Sequence, residues 1–327
     1  MPERKTIVLG CGKMVQQVHF KSFADYPKTR LAAIIEPSES ARKSAAERLK
    51  ALDLEPPPMF PDFDAYRNAG IKADVAFIAT PHNAHCRGIL DCLDLGLDVL
   101  VEKPMVLNEV EARAVIAKRD ESGRTVVVGF QGGLSPEVQK AKAMIRDREI
   151  GNLVSVAGTV HQNWKELATG TWRMEPEISG GGFLFDTGSH LINTMVHVVD
   201  SDVSALQGIL DYRGTDVEIN ASLSGRFECG VLFTISMSGD TYGCDGYIDL
   251  VGTKGIIRLG MWGHIFKKTA DNLRAPMEDL EPATPDTSWK TFNAILDGNT
   301  QNTSPPEVGL RFAHFMDLLR ENCRVIP

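Results

Sequence analysis

The chain has 327 residues, 43% hydrophobic and 24% charged, with 29 glycines and 17 prolines; a chain of this length and composition buries a sizeable core, which excludes a disordered chain, a collagen-like chain and a small disulfide scaffold. Lys and Arg total 35 against 43 Asp and Glu, a net charge of −8, which argues against nucleic acid or an anionic membrane surface as a partner. Residues 1–130 carry 18 basic and 18 acidic side chains and residues 131–327 carry 17 and 25, so the whole excess lies in the second part, as in a chain of about two modules.

In chain order, Thr6–Leu9 reads as a strand and Lys13–Ala24 as a helix. Leu31–Ile35 is a second strand, followed by a helix over Ser38–Ala51 with Ser38 as its N-cap. Glu55-Pro56-Pro57-Pro58 breaks the chain, and Asp62–Asn68 is a short helix. Asp74–Ala79 is a strand and His82–Leu95 a helix ended by Gly96. Asp98–Val101 is a strand, Asn108–Ser122 a helix ended by Gly123, and Thr125–Phe130 a strand. The runs Ile7-Val8-Leu9, Val75-Ala76-Phe77-Ile78, Val99-Leu100-Val101 and Val126-Val127-Val128 are continuously apolar. Strands covered by helices on both faces have this pattern, so a doubly wound parallel α/β domain is predicted over 1–130.

After residue 130 the rhythm changes. Ser135–Arg148 is a helix with Pro136 in its first turn, Leu153–Asn163 has strand character and Asp186–Val199 is a helix. Strand-like runs follow at Val203–Tyr212, Val217–Phe227, Gly230–Met237, Tyr247–Val251 and Gly255–Leu259. Successive strands imply an antiparallel or mixed sheet. Lys268–Asp286 reads as an irregular polar loop, and helices over Ser288–Leu296 and Glu307–Arg324 close the chain, the last expected to pack back on the first domain. The predicted division is 1–130 and 131–327.

None of the six cysteines forms a C-x-x-C pair, which argues against a zinc ribbon or a thioredoxin-like motif; Cys11 and Cys92 read as buried free thiols. Met1–Thr6 leads directly into Ile7-Val8-Leu9 with no signal-peptide pattern, and no apolar run approaches the ~18 residues of a membrane span. A reducing cytoplasm is expected.

Three strand ends carry the candidate chemistry. Gly10-Cys11-Gly12-Lys13-Met14-Val15 follows the first strand and opens the first helix. Gly10 suits the tight turn, and Gly12 lets a pyrophosphate approach the backbone, where helix N–H groups favour an anion. Val15 is larger than the Gly or Ala usual at the third position. Glu36 ends the second strand, 24 residues past Gly12, and its carboxylate suits the hydroxyls of an adenine-side ribose while repelling a 2′-phosphate. NAD is therefore the expected cofactor, with Arg42 and Lys43 nearby keeping NADP open. Thr80-Pro81 ends another strand, with His85 in the following helix, and Thr80 can bond a cofactor ribose or phosphate. Glu102-Lys103-Pro104 ends the next; ligands bind beyond the carboxyl ends of such strands, where the Lys103 ammonium can stabilise an alkoxide.

The stretch Gly180-Gly181-Gly182 through Asp186-Thr187-Gly188-Ser189-His190 is the most informative. Asp186 and His190 share one helical face, and a carboxylate beside an imidazole raises its basicity. That pair can take a hydroxyl proton as a hydride leaves the same carbon. Gly188 is expected to keep the surface between them open. His197 reads as packing. Two residues at this spacing lack an evident third metal ligand, so no metal is expected.

These residues together resemble the Gfo/Idh/MocA oxidoreductase family, through Gly10-Cys11-Gly12, Glu36, Ala79-Thr80-Pro81 with His85, Glu102-Lys103-Pro104, Trp172-Arg173, Gly180 to His190, and Val251-Gly252-Thr253-Lys254-Gly255. The resemblance implies a Rossmann domain and a C-terminal α/β domain with an open, mainly antiparallel sheet whose outer face makes homodimers or homotetramers. It implies a catalytic set of Lys103, Asp186 and His190. Cofactor contacts are expected from Gly10, Gly12, Lys13, Met14, Glu36, Thr80, Pro81, His85, Glu102 and Lys103, with Trp172 and Arg173 approaching cofactor or substrate and Pro104 often cis. The implied reaction interconverts CH–OH and C=O on a sugar, cyclitol or sugar derivative. A non-catalytic dinucleotide-binding regulator and an NAD-dependent lyase or glycosidase with transient oxidation are the rivals. Gln131-Gly132-Gly133-Leu134 and Asn193 depart from the family pattern.

Overall fold

The computed structural model describes residues 3–261, 264–269, 271, 274, 276–280 and 286–326. The chain forms two compact units. The first comprises Met1–Val106, Val110–Gly129 and Asp286–Pro306, and the second Leu107–Glu109, Phe130–Pro285 and Glu307–Pro327.

The first unit holds a six-stranded parallel sheet of β1 (Arg4–Leu9), β2 (Thr29–Ile35), β3 (Met59–Phe60), β4 (Val75–Ile78), β5 (Asp98–Val101) and β6 (Val126–Val128). Its spatial order is β3-β2-β1-β4-β5-β6, and every pair is parallel. This is the doubly wound order, whose ligand crevice opens where the order reverses, between the ends of β1 and β4. The continuous apolar runs are fully buried, with Ile7, Val8, Ala76, Phe77, Ile78, Val99, Leu100 and Val101 at 0% exposure. Ser38 caps its helix by accepting from the Ala41 amide, and Gly96 and Gly123 adopt positive φ at the predicted helix ends. β3 is too short to show in the sequence.

Asp286–Pro306 joins this unit rather than the second part of the chain. Trp289, fully buried, sets its ring 4.8 Å from that of Phe23 and donates its indole N–H to Thr29 Oγ1 at 2.8 Å. Further on, the Val128 amide donates to the Ser304 carbonyl at 2.8 Å and Ser304 Oγ to the Val128 carbonyl at 2.7 Å, which covers the free edge of β6.

The second unit is built on a nine-stranded sheet of β7 (Leu153–Gln162), β8 (Val203–Asp211), β9 (Asn220–Phe227), β10 (Leu232–Ser238), β11 (Cys244–Gly252), β12 (Gly255–Gly260), β13 (His264–Thr269), β14 (Glu278–Asp279) and β15 (Cys323–Ile326). Its order is β14-β13-β12-β11-β7-β10-β9-β8-β15. The β7–β10 and β8–β15 pairs are parallel and the rest antiparallel, so the sheet is open and mainly antiparallel. One face packs on the helices Pro136–Arg146 and Gly188–Val199 through Val156, Val160, Ile235, Met237 and Ile248, all nearly inaccessible. β10 alternates exposed and buried along its length, the signature of a sheet with one open face. The predicted loop over Lys268–Asp286 lies partly outside the described residues, and its described part contains β14. The last helix, Pro306–Asn322, ends short of the predicted Arg324 because the chain turns into β15. From Glu307 onward it belongs to the second unit. No described helix is long and apolar enough to cross a membrane.

Candidate active site

Candidate residues of the first unit gather at the carboxyl ends of β1, β2, β4 and β5. Gly10 has φ +83°, and a Cβ there would lie 2.6 Å from the Ala79 carbonyl oxygen, so only glycine lets the β1 turn pass the end of β4. Nothing lies within 4 Å of where a Cβ on Gly12 would be, which leaves its backbone open to a ligand. Lys13 and Met14 stand exposed at the start of the helix. The helix then widens into a π-turn over Val15–His19, with the Phe20 amide donating to the Val15 carbonyl; Val15 is buried.

Glu36 closes the far side of this turn. Its Oε2 accepts from the Cys11 amide at 3.0 Å and its Oε1 from the Ser38 amide at 2.9 Å, so the fold itself aims the carboxylate at the glycine turn. Arg42 donates to the Glu36 and Pro37 carbonyls, and Lys43 pairs with Glu39 at 2.7 Å. Cys11 is buried, and burial first, then the nearby Glu36 charge, pushes its thiol up to about 12, so it stays neutral.

Thr80 Oγ1 is buried and has no hydrogen-bond partner among the described residues. An orphaned hydroxyl at the crevice, an open glycine backbone and a carboxylate held against the turn fit a dinucleotide. His85 does not fit the cofactor contact expected of it. It is 1% exposed, with Nδ1 2.8 Å from the Pro104 carbonyl and Nε2 2.9 Å from the Thr80 carbonyl. Burial pushes its pKa down. It braces the ends of β4 and β5.

The Lys103–Pro104 bond is cis. Glu102 Oε1 lies 3.1 Å from His19 Nε2, and Glu102 Oε2 accepts from the Lys103 amide at 3.3 Å. Burial works against this carboxylate, but His19 and then Lys103 outweigh it and hold the group below the usual carboxylate range. Nothing in the sequence singled out His19 except a titratable residue in an apolar stretch of the first helix.

Candidate residues of the second unit gather on Asp186. It ends the short helix Phe183–Asp186, and Thr187 keeps helical dihedrals into Gly188–Val199, so the predicted four-residue spacing to His190 lies on helical backbone. Asp186 Oδ2 accepts from Trp164 Nε1 and from Arg173 Nε, each at 3.0 Å. The Arg173 guanidinium also stacks over Trp172 at 4.5 Å. Two donors from outside the helix therefore fix a carboxylate that is 8% exposed. Trp164 lies 22 residues upstream of Asp186, and only the fold brings it there. His190 is half-buried and lines a cavity of about 30 Å³ with Ser135, Thr194, Ile248 and Met261, space for about one water.

The glycines serve packing rather than openness. A Cβ on Gly182 would lie 2.1 Å from the Glu218 carbonyl oxygen, and one on Gly188 2.6 Å from Met237 Sδ. The expectation that Gly188 keeps a surface open is thus corrected: it lets the helix press onto β10. Glu218 is buried and accepts from the Phe185 amide at 3.2 Å; burial pushes its carboxyl above the usual range. A cavity of about 480 Å³ opens on the other side of the glycine run, lined by Leu107, Gly180, Tyr212, Glu218, Met316 and Arg320 among others. Neither Asp186 nor His190 lines it. His197 is buried and meets Gln139 at 3.2 Å, a packing role. Among the described residues no group of three or more His, Cys, Asp or Glu is placed to hold a metal ion.

Comparison with known proteins agrees with both units. Residues 4–130 match the oxidoreductase family's NAD-binding Rossmann fold, and residues 138–258 match the GFO/IDH/MocA C-terminal domain. D-xylose 1-dehydrogenase [NADP(+)] of Haloarcula marismortui is 26% identical over 57% of this chain and 53% of its own length. The scyllo-inositol 2-dehydrogenase (NAD(+)) of Bacillus subtilis is 24% identical over 79% of this chain and 74% of its own. For the first curated relatives, the matched region spans only 53–59% of their length. Among solved structures, GenD2 from gentamicin A biosynthesis, in complex with NAD, superposes with a TM-score of 0.79 over 97% of this chain and 93% of that one, at 21% identity, a likeness of fold.

Proposed function

The chain belongs to the Gfo/Idh/MocA oxidoreductase family, and from that premise we propose that it moves a hydride between a nicotinamide dinucleotide and a CH–OH/C=O carbon of a sugar, cyclitol or sugar derivative. The observation that carries the reading is the crevice of the first unit, where Gly10, Gly12, Glu36 and the orphaned Thr80 hydroxyl surround the reversal point of a doubly wound sheet. Bound there, the dinucleotide supplies the hydride acceptor or donor.

The chain's own residues then have distinct tasks. Gly12, Lys13 and Met14 offer backbone N–H groups to the pyrophosphate. Glu36 takes the ribose hydroxyls and disfavours a 2′-phosphate, so NAD is the favoured cofactor; Arg42, committed to two carbonyls, is the residue that would have to turn outward to admit NADP. His190 takes the substrate hydroxyl proton, and Lys103 Nζ stabilises the negative oxygen as the C–H bond breaks. Asp186, oriented by Trp164 and Arg173, favours the protonated imidazole. The relatives named for sugars and inositol support the substrate class. The open face of the nine-stranded sheet is the surface for a homodimer or homotetramer.

The test is NADH formation with a panel of sugars and cyclitols. Wild-type protein is expected to reduce NAD with at least one of them, and His190→Ala and Lys103→Ala each to lower kcat by about 100-fold or more. Undiminished turnover in His190→Ala would remove the acid/base assignment. Product release without net NADH would point instead to transient oxidation.

A further inference from the structure

The first unit contains a pair, a buried histidine and a half-buried carboxylate, that the reading above leaves without a task. His19 is 7% exposed and lies in the π-turn Val15–His19. Such turns are rare in helices and recur at functional sites. The ring packs on Phe77 of β4 at 4.6 Å while Nε2 meets Glu102 Oε1 at 3.1 Å. The second carboxylate oxygen accepts from the Lys103 amide. The Glu102 amide donates to the Ile78 carbonyl at 2.8 Å. Gly129 lies on the other side: a Cβ there would crowd the Val101 carbonyl oxygen at 3.2 Å and touch Glu102 Oε1 at 3.5 Å. One carboxylate therefore links the first helix to the peptide from which Lys103 leaves β5.

A partly buried contact of this kind is weak evidence for stability, because desolvation offsets much of what it gains. It is a good device for fixing geometry, since a half-buried carboxylate that loses one partner cannot relax without loss. We propose that His19 is a positioning residue: through Glu102 it fixes the strand end that carries Lys103, and so sets the approach of the lysine amine to the nicotinamide end of the cofactor. This rests on the function proposed above, and it assigns His19 no contact with the substrate.

Two substitutions separate the hydrogen bond from the packing. His19→Phe keeps a ring against Phe77 and removes the donor; His19→Gln keeps a donor for Glu102. Three measurements are made on the full chain: NAD affinity by calorimetry, the kcat and KM of NAD-dependent oxidation, and the rate of Lys103 reductive methylation with and without NAD, read by mass spectrometry. His19→Phe should bind NAD within about threefold of wild type, since the glycine turn and Glu36 are untouched, and lose kcat by about tenfold or more at little-changed KM. NAD should shield Lys103 from methylation in wild type and in His19→Gln but much less in His19→Phe. His19→Gln should recover most of the turnover. Full shielding and turnover in His19→Phe would overturn the proposal, as would a His19→Gln variant as impaired as His19→Phe. Wild type that binds NAD and shields Lys103 but oxidises nothing would count against the proposed reaction, with the methylation arm still deciding the role of His19. Wild type that fails to bind NAD would overturn both.

Discussion

Gly10 and Gly12 lie two residues apart, and their surroundings give them opposite tasks. At Gly10 the positive φ and the Ala79 carbonyl both forbid a side chain; Gly10→Ala adds about 1–2 kcal/mol of left-handed strain to a clash with backbone. We expect a lower melting temperature and loss of NAD binding together. At Gly12 a methyl meets nothing among the described residues, so Gly12→Ala should leave the apo-protein within about 1 kcal/mol of wild type yet weaken NAD by about tenfold or more, because in the proposed function the methyl would stand where the pyrophosphate approaches. Thermal melts with and without NAD, beside calorimetric affinity, check both. Equal NAD affinity in Gly12→Ala would place the pyrophosphate elsewhere. The turn was legible in the sequence because its requirement is local. The partners of Asp186 were not: Trp164 and Arg173 are 22 and 13 residues away from it, at no periodic spacing, and reach it by tertiary folding alone.

Elements were legible where burial wrote a pattern. Strands covered on both faces had to be continuously apolar, and β10, covered on one, had to alternate. β3 and β15 were missed because two or four residues against a sheet edge carry no period, and β15 follows a helix whose apolar spacing runs into it. Where two elements meet, burial also has a pH signature. His197 on Gly188–Val199 packs beside Gln139 of Pro136–Arg146, and burial first, then Lys142, pushes its pKa down to about 4 from 6.5. The unfolded chain takes up a proton near pH 6.5 while the folded chain does not until about pH 4. This histidine thus adds nothing to the pH dependence above pH 6.5 and withdraws stability as pH falls through that window, by roughly 3 kcal/mol at most. Urea denaturation of wild type and His197→Gln between pH 7 and pH 4 should show the wild-type stability falling more steeply. Parallel pH dependences would mean that His197 protonates within the folded helix pair.

At the scale of the molecule, the residues of the proposed chemistry divide between the two units as the charge does: the glycine turn, Glu36 and Lys103 in the first; Asp186, His190 and the acidic excess in the second. Asp286–Pro306 returns to the first unit, where Trp289 meets Phe23 and Thr29, contacts that no sequence period announces. The second unit also presents the open face of its sheet. The registers align Tyr247, Thr159, Ser236, Ser222 and Ile209 in one row across five strands, with Tyr247 39% and Ile209 44% exposed. Small residues in the middle and large ones at the ends suit a second copy related by a two-fold axis, in which each copy's row meets the other's. Stable association of this kind needs about 800 Å² from each partner, which a face spanning several strands can supply. Ser236 stands exposed at the centre of the row, where no core contact depends on it. Ser236→Arg should therefore place two like charges close together near the axis, shifting a dimer or tetramer to a smaller species in light scattering while the melting temperature of the monomeric fold changes little. A wild-type chain that is monomeric at micromolar concentration would remove the assembly, and an unshifted Ser236→Arg oligomer would move its interface off this face.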